Sequence, residues 1–130
     1  MASVKQVIVM RTDTDPPMRK GKMIAQGAHA SIAFLTRKLQ TSNVLKLRAD
    51  EKEWIEGRFT KVCLRVDSED ELMAIYKEAS EAGLETHLVT DSGQTEFKEP
   101  TRTCLAIGPN KSEEIDRITG PNGTHPLKLL

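Results

Sequence analysis

The fold is decided by residues 60–90, TKVCLRVDSEDELMAIYKEASEAGLETHLVT, in which two kinds of hydrophobic pattern alternate. Residues 60–66 are rich in β-branched and apolar side chains and predict a strand. Carboxylates then cluster at residues 67–71, where the positive end of a helix dipole stabilises them. The apolar residues that follow at helical spacing predict a helix ending at Gly83, and residues 85–90 predict another strand; these apolar residues are Leu72, Ile75, Tyr76 and Ala79. A strand, a helix and a strand in succession indicate an α/β fold.

The same alternation continues towards the N-terminus. Residues 4–10 predict a first strand, and Pro16 and Pro17 separate it from a helix that begins at Lys22, because two prolines cannot continue a strand ladder. Several residues of this helix share one stripe by 3.6-residue spacing; they are Ile24, Ala28, Ser31, Ile32 and Leu35. Because the stripe is rich in small residues, we expect it to approach the sheet or a partner helix closely.

The remaining elements are shorter. A helix is predicted over residues 49–56, closed by Gly57. A fourth strand is predicted over residues 103–107, broken by Gly108-Pro109, and a last helix capped by Ser112 runs through Ile118. Residues 127–130 allow a short terminal strand.

These elements predict a single α/β domain over residues 1–130, with a mixed β-sheet of about four strands and helices on both faces. Only a loop separates the third and fourth strands. We therefore expect them to pair antiparallel in an otherwise parallel sheet.

Composition limits the class of protein. A chain of 130 residues corresponds to one ordinary domain. No apolar run approaches the roughly 18 residues of a membrane helix, and the N-terminal apolar stretch is too short for a signal peptide. Cys63 and Cys104 lie in apolar runs and are expected to be buried core residues rather than a disulfide framework. These features predict a cytoplasmic protein that does not associate with membranes.

Charge is unevenly distributed, although the net charge is zero. Residues 1–48 carry nine Lys/Arg and two Asp/Glu, a net charge of +7, and residues 49–130 carry −7. Arg19, Lys20 and Lys22 lie at the start of the first helix, where the helix dipole disfavours cations and free N–H groups bind phosphate. The pattern indicates an anionic partner; the alternative is a solvated basic loop.

Two polar groups of residues could carry chemistry. Lys22, Gln26 and His29 share one helix face by their i, i+4, i+7 spacing. The segment 89–95, VTDSGQT, follows a strand, and ligands of α/β sheets bind where strand ends meet loops. A structural histidine and an ordinary Asx turn are the alternatives. No P-loop, GxGxxG, Gly-x-Ser-x-Gly or Cys/His cluster is present, which argues against a nucleotide- or metal-dependent enzyme.

Five segments carry a family resemblance: VIVMRTD, KGKMIAQGAHA, DSGQTE, TRTCLAIGP, and IDRITG followed by PLKLL. In this order and approximate spacing they resemble the archaeal and eukaryotic type of peptidyl-tRNA hydrolase. The resemblance implies a homodimer without metal or organic cofactor that cleaves the ester between a peptide and the terminal ribose of tRNA. The chain departs from the family pattern at Ser92 and Ile24, where alanine is usual, and by an apparent insertion at residues 121–125.

The resemblance also implies roles for individual residues. The catalytic set is Lys22, Asp91, Thr95 and Thr103. The expected phosphate ligands are Arg11, Arg19 and Lys20, and the remaining substrate-binding residues are Gln26, His29 and Gly93. Two alternatives stay open at this point: a non-catalytic RNA- or protein-binding module on the same fold, and an esterase for another acyl-tRNA.

Overall fold

Four strands form one mixed sheet in the computed structural model, which describes residues 3–130. They are β1 (Val4–Arg11), β2 (Lys61–Val66), β3 (Thr86–Asp91) and β4 (Thr101–Lys111). Their order across the sheet is β2-β1-β4-β3. β1 and β2 are parallel, and β4 is antiparallel to both β1 and β3. The expected antiparallel pairing of the third and fourth strands is therefore confirmed.

Helices cover both faces of this sheet, as predicted. They are α1 (Lys20–Leu39), α2 (Ala49–Glu56), α3 (Glu69–Glu81) and α4 (Ser112–Thr119). Alternate strand residues point to opposite faces, so Ile8 of β1 packs in a cluster with Ala30 of α1, and Val9 packs in another with Leu72 of α3. In residues 3–130 no helix is long and apolar enough to cross a bilayer.

β4 is longer than predicted, because it does not stop at Gly108-Pro109. The pairing with β1 steps from Lys5↔Asn110 to Val7↔Ile107, so β4 carries one extra residue there. Gly108 adopts a φ of +103°, and a Cβ at this position would lie 2.5 Å from the Lys5 carbonyl oxygen. The irregular step accommodates a proline, which has no N–H to donate to a ladder.

Most of the apolar stripe of α1 faces outward: Ile24, Ala28 and Ile32 are exposed, whereas Leu35 is half-buried and Ser31 is buried. Ile24 is 72% exposed and Ile32 is 53% exposed. The residues of α1 that are buried come from a neighbouring face: Gln26, Gly27, Ala30, Ser31, Ala33 and Phe34. A Cβ at Gly27 would lie 3.6 Å from Met10 Cε, an ordinary van der Waals contact, so this face has room for alanine but not for a larger side chain against the sheet. The expected approach of this stripe to the sheet is therefore wrong, because the neighbouring face packs there instead, and its approach to a partner helix stays a prediction.

The outward stripe borders an open groove of about 450 Å³ between α1 and β2. We call this surface the apolar face. Ile24, Ala28 and Ile32 form its ridge, and the groove beside them is lined by Ile8, Met10, Phe59, Cys63 and Leu130. Cys63 is exposed there, contrary to prediction, because alternate residues of β2 point to a sheet face that α1 leaves open. Cys104 is buried as predicted, and burial raises the pKa of its thiol to about 12.

The C-terminal region differs from prediction in two details. Ser112 is the first residue of α4 rather than its cap, and its hydroxyl accepts a hydrogen bond from Ser3 at 2.7 Å. The terminal segment forms a single antiparallel bridge, Leu64↔Leu129, instead of a strand. Flanking hydrogen bonds, from Arg65 N–H to the Lys128 carbonyl and from Leu130 N–H to the Cys63 carbonyl, hold residues 128–130 along the outer edge of β2.

A polar cluster ties the end of α1 and the start of α2 to β3. Glu85 accepts a hydrogen bond from His87 at 2.7 Å and lies 3.4 Å from Arg48 Nε. His87 in turn contacts Arg37 of α1 at 2.8 Å. The hydrogen bond from His87 lowers the pKa of Glu85 to about 2, against the opposing effect of burial. The charged form of this carboxylate is therefore favoured by the folded state.

The Glu85 carboxylate should make stability depend on pH in the acid range. Because its folded pKa lies below its ordinary value of 4.5, its contribution is present above about pH 4.5 and is lost as the pH falls towards 2. A pKa change from 4.5 to about 2 corresponds to at most about 3 kcal/mol at neutral pH, and solvent screening of this half-buried group reduces the contribution. Glu85→Gln should flatten the acid limb of the free energy of unfolding, measured by denaturant titration between pH 2 and pH 7. Glu81→Gln, an exposed carboxylate on α3, is the matched control and should keep the wild-type slope.

Candidate active site

An ion pair joins the start of α1 to the end of β3. Lys22 Nζ lies 2.6 Å from Asp91 Oδ1, and the two side chains are only 13% and 9% exposed. The same ammonium donates to the Thr95 hydroxyl at 3.0 Å. Three of the four predicted catalytic residues therefore lie in direct contact, although 69 residues separate Lys22 from Asp91.

The turn after β3 fixes the carboxylate from its other side. Asp91 Oδ2 accepts the Gly93 N–H at 3.0 Å. Gly93 has a φ of +84°, and a Cβ there would lie 2.5 Å from the Glu99 carbonyl carbon, so this position requires glycine. The hydrogen bond from Lys22, with help from the Gly93 N–H, lowers the pKa of Asp91 against the opposing effect of burial. Asp91 is consequently held as an anion.

Phe97 is a residue of this site that the sequence did not reveal. It is 2% exposed and anchors the loop between β3 and β4 in the core shared with α1. Lys22 Nζ lies 5.7 Å from its ring centroid, within range of a cation–π interaction. The available signal was a single aromatic residue in the polar segment TEFKEP.

Thr103 reaches the site through Gln26. The β3–β4 pairing steps from Val89↔Cys104 to Thr90↔Arg102, which leaves Thr103 as an extra residue in β4. Such a bulge turns two successive side chains to one face, and both Thr103 and Cys104 contact Gln26 of α1. Thr103 is fully buried, and its hydroxyl donates to Gln26 Oε1.

Accounting for hydrogens shows which groups are free to act. A lysine ammonium has three N–H donors, of which Asp91 and Thr95 take two. Because the Thr95 oxygen accepts from Lys22, its own O–H hydrogen can be donated elsewhere. The Thr103 hydrogen is committed to Gln26, whose amide nitrogen has no hydrogen-bond acceptor in residues 3–130.

The predicted phosphate ligands are not equivalent. Arg19 is the N-cap of α1, forms no side-chain cap, and is 88% exposed, with Glu96 at 3.9 Å. Lys20 is also exposed, and the first turn contains no acidic residue. Arg11 is instead 11% exposed and engaged with Asp13 at 2.9 Å and Glu69 at 3.5 Å. The hydrogen bond to Asp13 raises the pKa of Arg11.

His29 lies apart from the contacting residues. It is exposed on α1, one turn beyond Gln26, and forms no hydrogen bond within the described part of the chain. In residues 3–130 no group of three or more His, Cys, Asp and Glu side chains is arranged to hold a metal ion.

Comparisons with known proteins agree on one family. Residues 4–123 match the family described as peptidyl-tRNA hydrolase PTH2. The chain is 42% identical to a peptidyl-tRNA hydrolase of Methanocaldococcus jannaschii and 44% identical to one of Methanothermobacter thermautotrophicus, covering 98% of this chain and 100% of each relative. It is 39% identical to a probable peptidyl-tRNA hydrolase 2 of Drosophila melanogaster, over 97% of this chain and 61% of that protein. The chain therefore belongs to the PTH2 family of peptidyl-tRNA hydrolases.

Proposed function

We propose that this peptidyl-tRNA hydrolase cleaves the ester between the peptide and the 3'-terminal ribose of tRNA at the cluster of Lys22, Asp91 and Thr95. The activity follows from family membership and from identities of about 40% over the full chain. The observation that carries the choice of site is the convergence of these three side chains at one strand end. A non-catalytic module would have no need for a nearly buried ion pair at this place, so the cluster favours an enzyme.

Lys22 would stabilise the negative charge that develops in the reaction. When water attacks the ester carbonyl carbon, the carbonyl oxygen becomes an oxyanion before the bond to the ribose oxygen breaks. The third N–H of Lys22 and the free O–H of Thr95 are suitable donors to that oxygen. Fixed donors in a site of low exposure are effective because they need no reorganisation during the reaction.

Asp91 would orient the attacking water. Both of its oxygens already accept one hydrogen bond, but each keeps a further lone pair. Its lowered pKa makes it a weak base, so we assign it to orienting and polarising the water rather than to removing a proton before attack. As the bond to the ribose oxygen breaks, one proton of the attacking water passes to that oxygen and the other is released to solvent, which gives free tRNA and a peptide carboxylate.

Thr103 would act on the reaction through Gln26. With its hydrogen donated to the Gln26 carbonyl oxygen, the buried Thr103 hydroxyl fixes the amide orientation and leaves the Gln26 N–H groups available to substrate. We therefore assign Gln26 to substrate binding and Thr103 to positioning. Gly93 contributes its N–H to Asp91 and its conformation to the turn.

The start of α1 would bind the acceptor-stem phosphates. Arg19 and Lys20 are exposed cations beside the free N–H groups of a helix N-terminus, a combination that attracts phosphate. Arg11 is the weaker candidate, because its guanidinium is committed to Asp13 and Glu69. His29 would line the substrate path farther along α1.

The partner of the apolar face would be a second copy of the chain. A ridge, formed by Ile24, Ala28 and Ile32, lies directly beside a groove, so two copies related by a two-fold axis can each insert the ridge into the partner's groove. Single apolar residues on a protein surface need no explanation. Here the exposed apolar side chains of the ridge and the groove are adjacent, and such a continuous patch is typical of an interaction site. We therefore propose that the protein is a homodimer. We further propose that it acts in the cytoplasm and uses neither a metal nor an organic cofactor.

Substrate choice and catalytic residues can be tested in one assay. In excess chelator the wild type should cleave N-acetylaminoacyl-tRNA and leave free aminoacyl-tRNA largely intact; equal cleavage of both would favour the esterase for another acyl-tRNA. Asp91→Asn and Lys22→Met should each lower turnover by roughly 10² or more, the scale of losing an oriented water or an oxyanion donor. Thr95→Val and Thr103→Val should lower it less. Lys77→Met, an exposed lysine on α3, is the control.

Folding must be separated from chemistry in these variants, because removing one partner of a nearly buried pair leaves an uncompensated charge. The double variant Lys22→Met/Asp91→Asn removes both charges. We expect it to unfold at a temperature closer to the wild type than either single variant, yet to remain inactive. Near-normal turnover in a folded double variant would show that the site lies elsewhere.

The basic start of α1 should determine the salt dependence of tRNA binding. Arg19→Ala/Lys20→Ala removes two phosphate contacts, so the slope of log affinity against log salt should become shallower by about one to two units. Turnover at saturating substrate should change less. Lys52→Ala/Lys77→Ala removes the same charge from α2 and α3 and should leave the slope unchanged. An unaltered slope in Arg19→Ala/Lys20→Ala would show that these two residues do not bind phosphate and belong to a solvated loop.

The homodimer is tested by mass in solution. Light scattering at micromolar concentration should give about twice 14.5 kDa for the wild type. Ile32→Asp places a carboxylate on the ridge of the apolar face and should yield a monomer with unchanged folding, since the side chain is already 53% exposed. Val44→Asp, at a 66% exposed position outside this face, should remain dimeric. A wild-type monomer would contradict the proposal.

A further inference from the structure

The two outer edges of the sheet are treated differently. Residues 128–130 lie along β2 and occupy its outer edge with main-chain hydrogen bonds. β3, at the opposite end of the sheet, pairs only with β4 within residues 3–130. The open edge is the one whose strand ends at Asp91, in contact with Lys22.

Hydrogen bonds around β3 show which main-chain groups face outward. The Glu85 carbonyl accepts from the Gly108 N–H and so points inward to β4. Along an antiparallel strand, the N–H and C=O of one residue point to one side and those of the next residue point to the other. The main-chain groups of Thr86, Leu88 and Thr90 therefore point outward, away from β4. The Arg37 guanidinium, which donates to the Leu88 carbonyl at 2.6 Å, agrees with this direction. The bulge inserts its extra residue in β4 and not in β3, so the alternation along β3 continues through Thr90 and directs its N–H and C=O away from β4.

We infer that the last residues of the substrate's peptide bind as an added strand along the outer edge of β3. The inference rests on the proposed function, since it requires the scissile ester to lie at Asp91. A peptide whose C-terminal residue is esterified there must run in the same direction as β3. In a parallel ladder the N–H of the esterified residue donates to the Thr90 carbonyl, and the carbonyl two residues earlier accepts from the Thr90 N–H.

Main-chain pairing suits the chemistry of this substrate. Peptides released from translation share a backbone but no side-chain sequence, and strand addition takes its binding energy from the backbone. The bound strand is short, because Arg37 occupies the Leu88 carbonyl that would extend it. A charged side chain at this point also hinders edge-to-edge pairing between copies of the protein.

The test changes the substrate and leaves the wild-type enzyme intact. Tripeptidyl-tRNA is compared with two analogues in which one peptide N–H is replaced by an ester oxygen. Replacement at the esterified residue removes the donor to the Thr90 carbonyl and should lower kcat/KM by about five- to tenfold, the scale of one hydrogen bond. Replacement one residue earlier removes an N–H that points away from β3 and should change kcat/KM by less than about twofold.

The outcomes separate the inference from the proposed function. Cleavage of all three substrates with equal losses at both positions, or with no loss at either, overturns strand addition and leaves the hydrolase standing. A failure to cleave N-acetylaminoacyl-tRNA and all three peptidyl substrates would contradict both strand addition and the proposed function. Changing the peptide's side chains at constant backbone should have little effect, and a strong side-chain preference without backbone dependence would also overturn strand addition.

Discussion

The ion pair between Lys22 and Asp91 is the interaction on which the rest of the site depends. It connects a helix start to a strand end, and both side chains are largely removed from solvent. An isolated charge in such a position is strongly unfavourable, so each residue requires the other. The Gly93 N–H and the Thr95 hydroxyl complete the hydrogen bonding around the pair. The loop between β3 and β4 must therefore adopt one conformation, with Phe97 buried beneath it.

Irregularities in β4 adjust the sheet to this requirement. At one end of the strand the extra residue Thr103 turns a hydroxyl towards Gln26, beside the turn that holds Asp91. At the other end the step at Gly108 lets the strand continue past Pro109 to the start of α4. A regular β4 would point Thr103 to the α3 side of the sheet, and Gln26 would lose the bond that fixes its amide. Bulges in this strand thus serve both the geometry of the site and the connection to the last helix.

Much of this arrangement was predictable from local pattern, and the exceptions have physical causes. Residues 49–56 form a helix as predicted, and strand 4–10 is one residue longer than predicted, because periodicity and breakers act locally. Pattern indicated Lys22 and the segment 89–95 separately, but only the resemblance joined Lys22, Asp91 and Thr95 in one set, since a contact across 69 residues leaves no local signal. The extension of β4 depends on a neighbouring strand that accommodates the extra residue, which no local rule for proline anticipates. The outward direction of Ile24 could not be predicted from its spacing, because a stripe that faces away from the sheet has the same period as one that faces the sheet.

Three faces of α1 meet three different surroundings, which explains why its sequence mixes small, polar and apolar residues so closely. One face, with Lys22 and Gln26, contacts β3 and β4 at the site. A second face, with Gly27 and Ala30, lies against the sheet closely enough that a larger side chain at residue 27 would press on Met10. The third face, with Ile24 and Ile32, is apolar and open. An α-helix is narrow, with a radius of about 2.3 Å, so its faces move together. The packing of α1 on the sheet therefore sets the position of Lys22 relative to Asp91. The small residues of α1 therefore contribute to the geometry of the site by setting how the helix packs on the sheet.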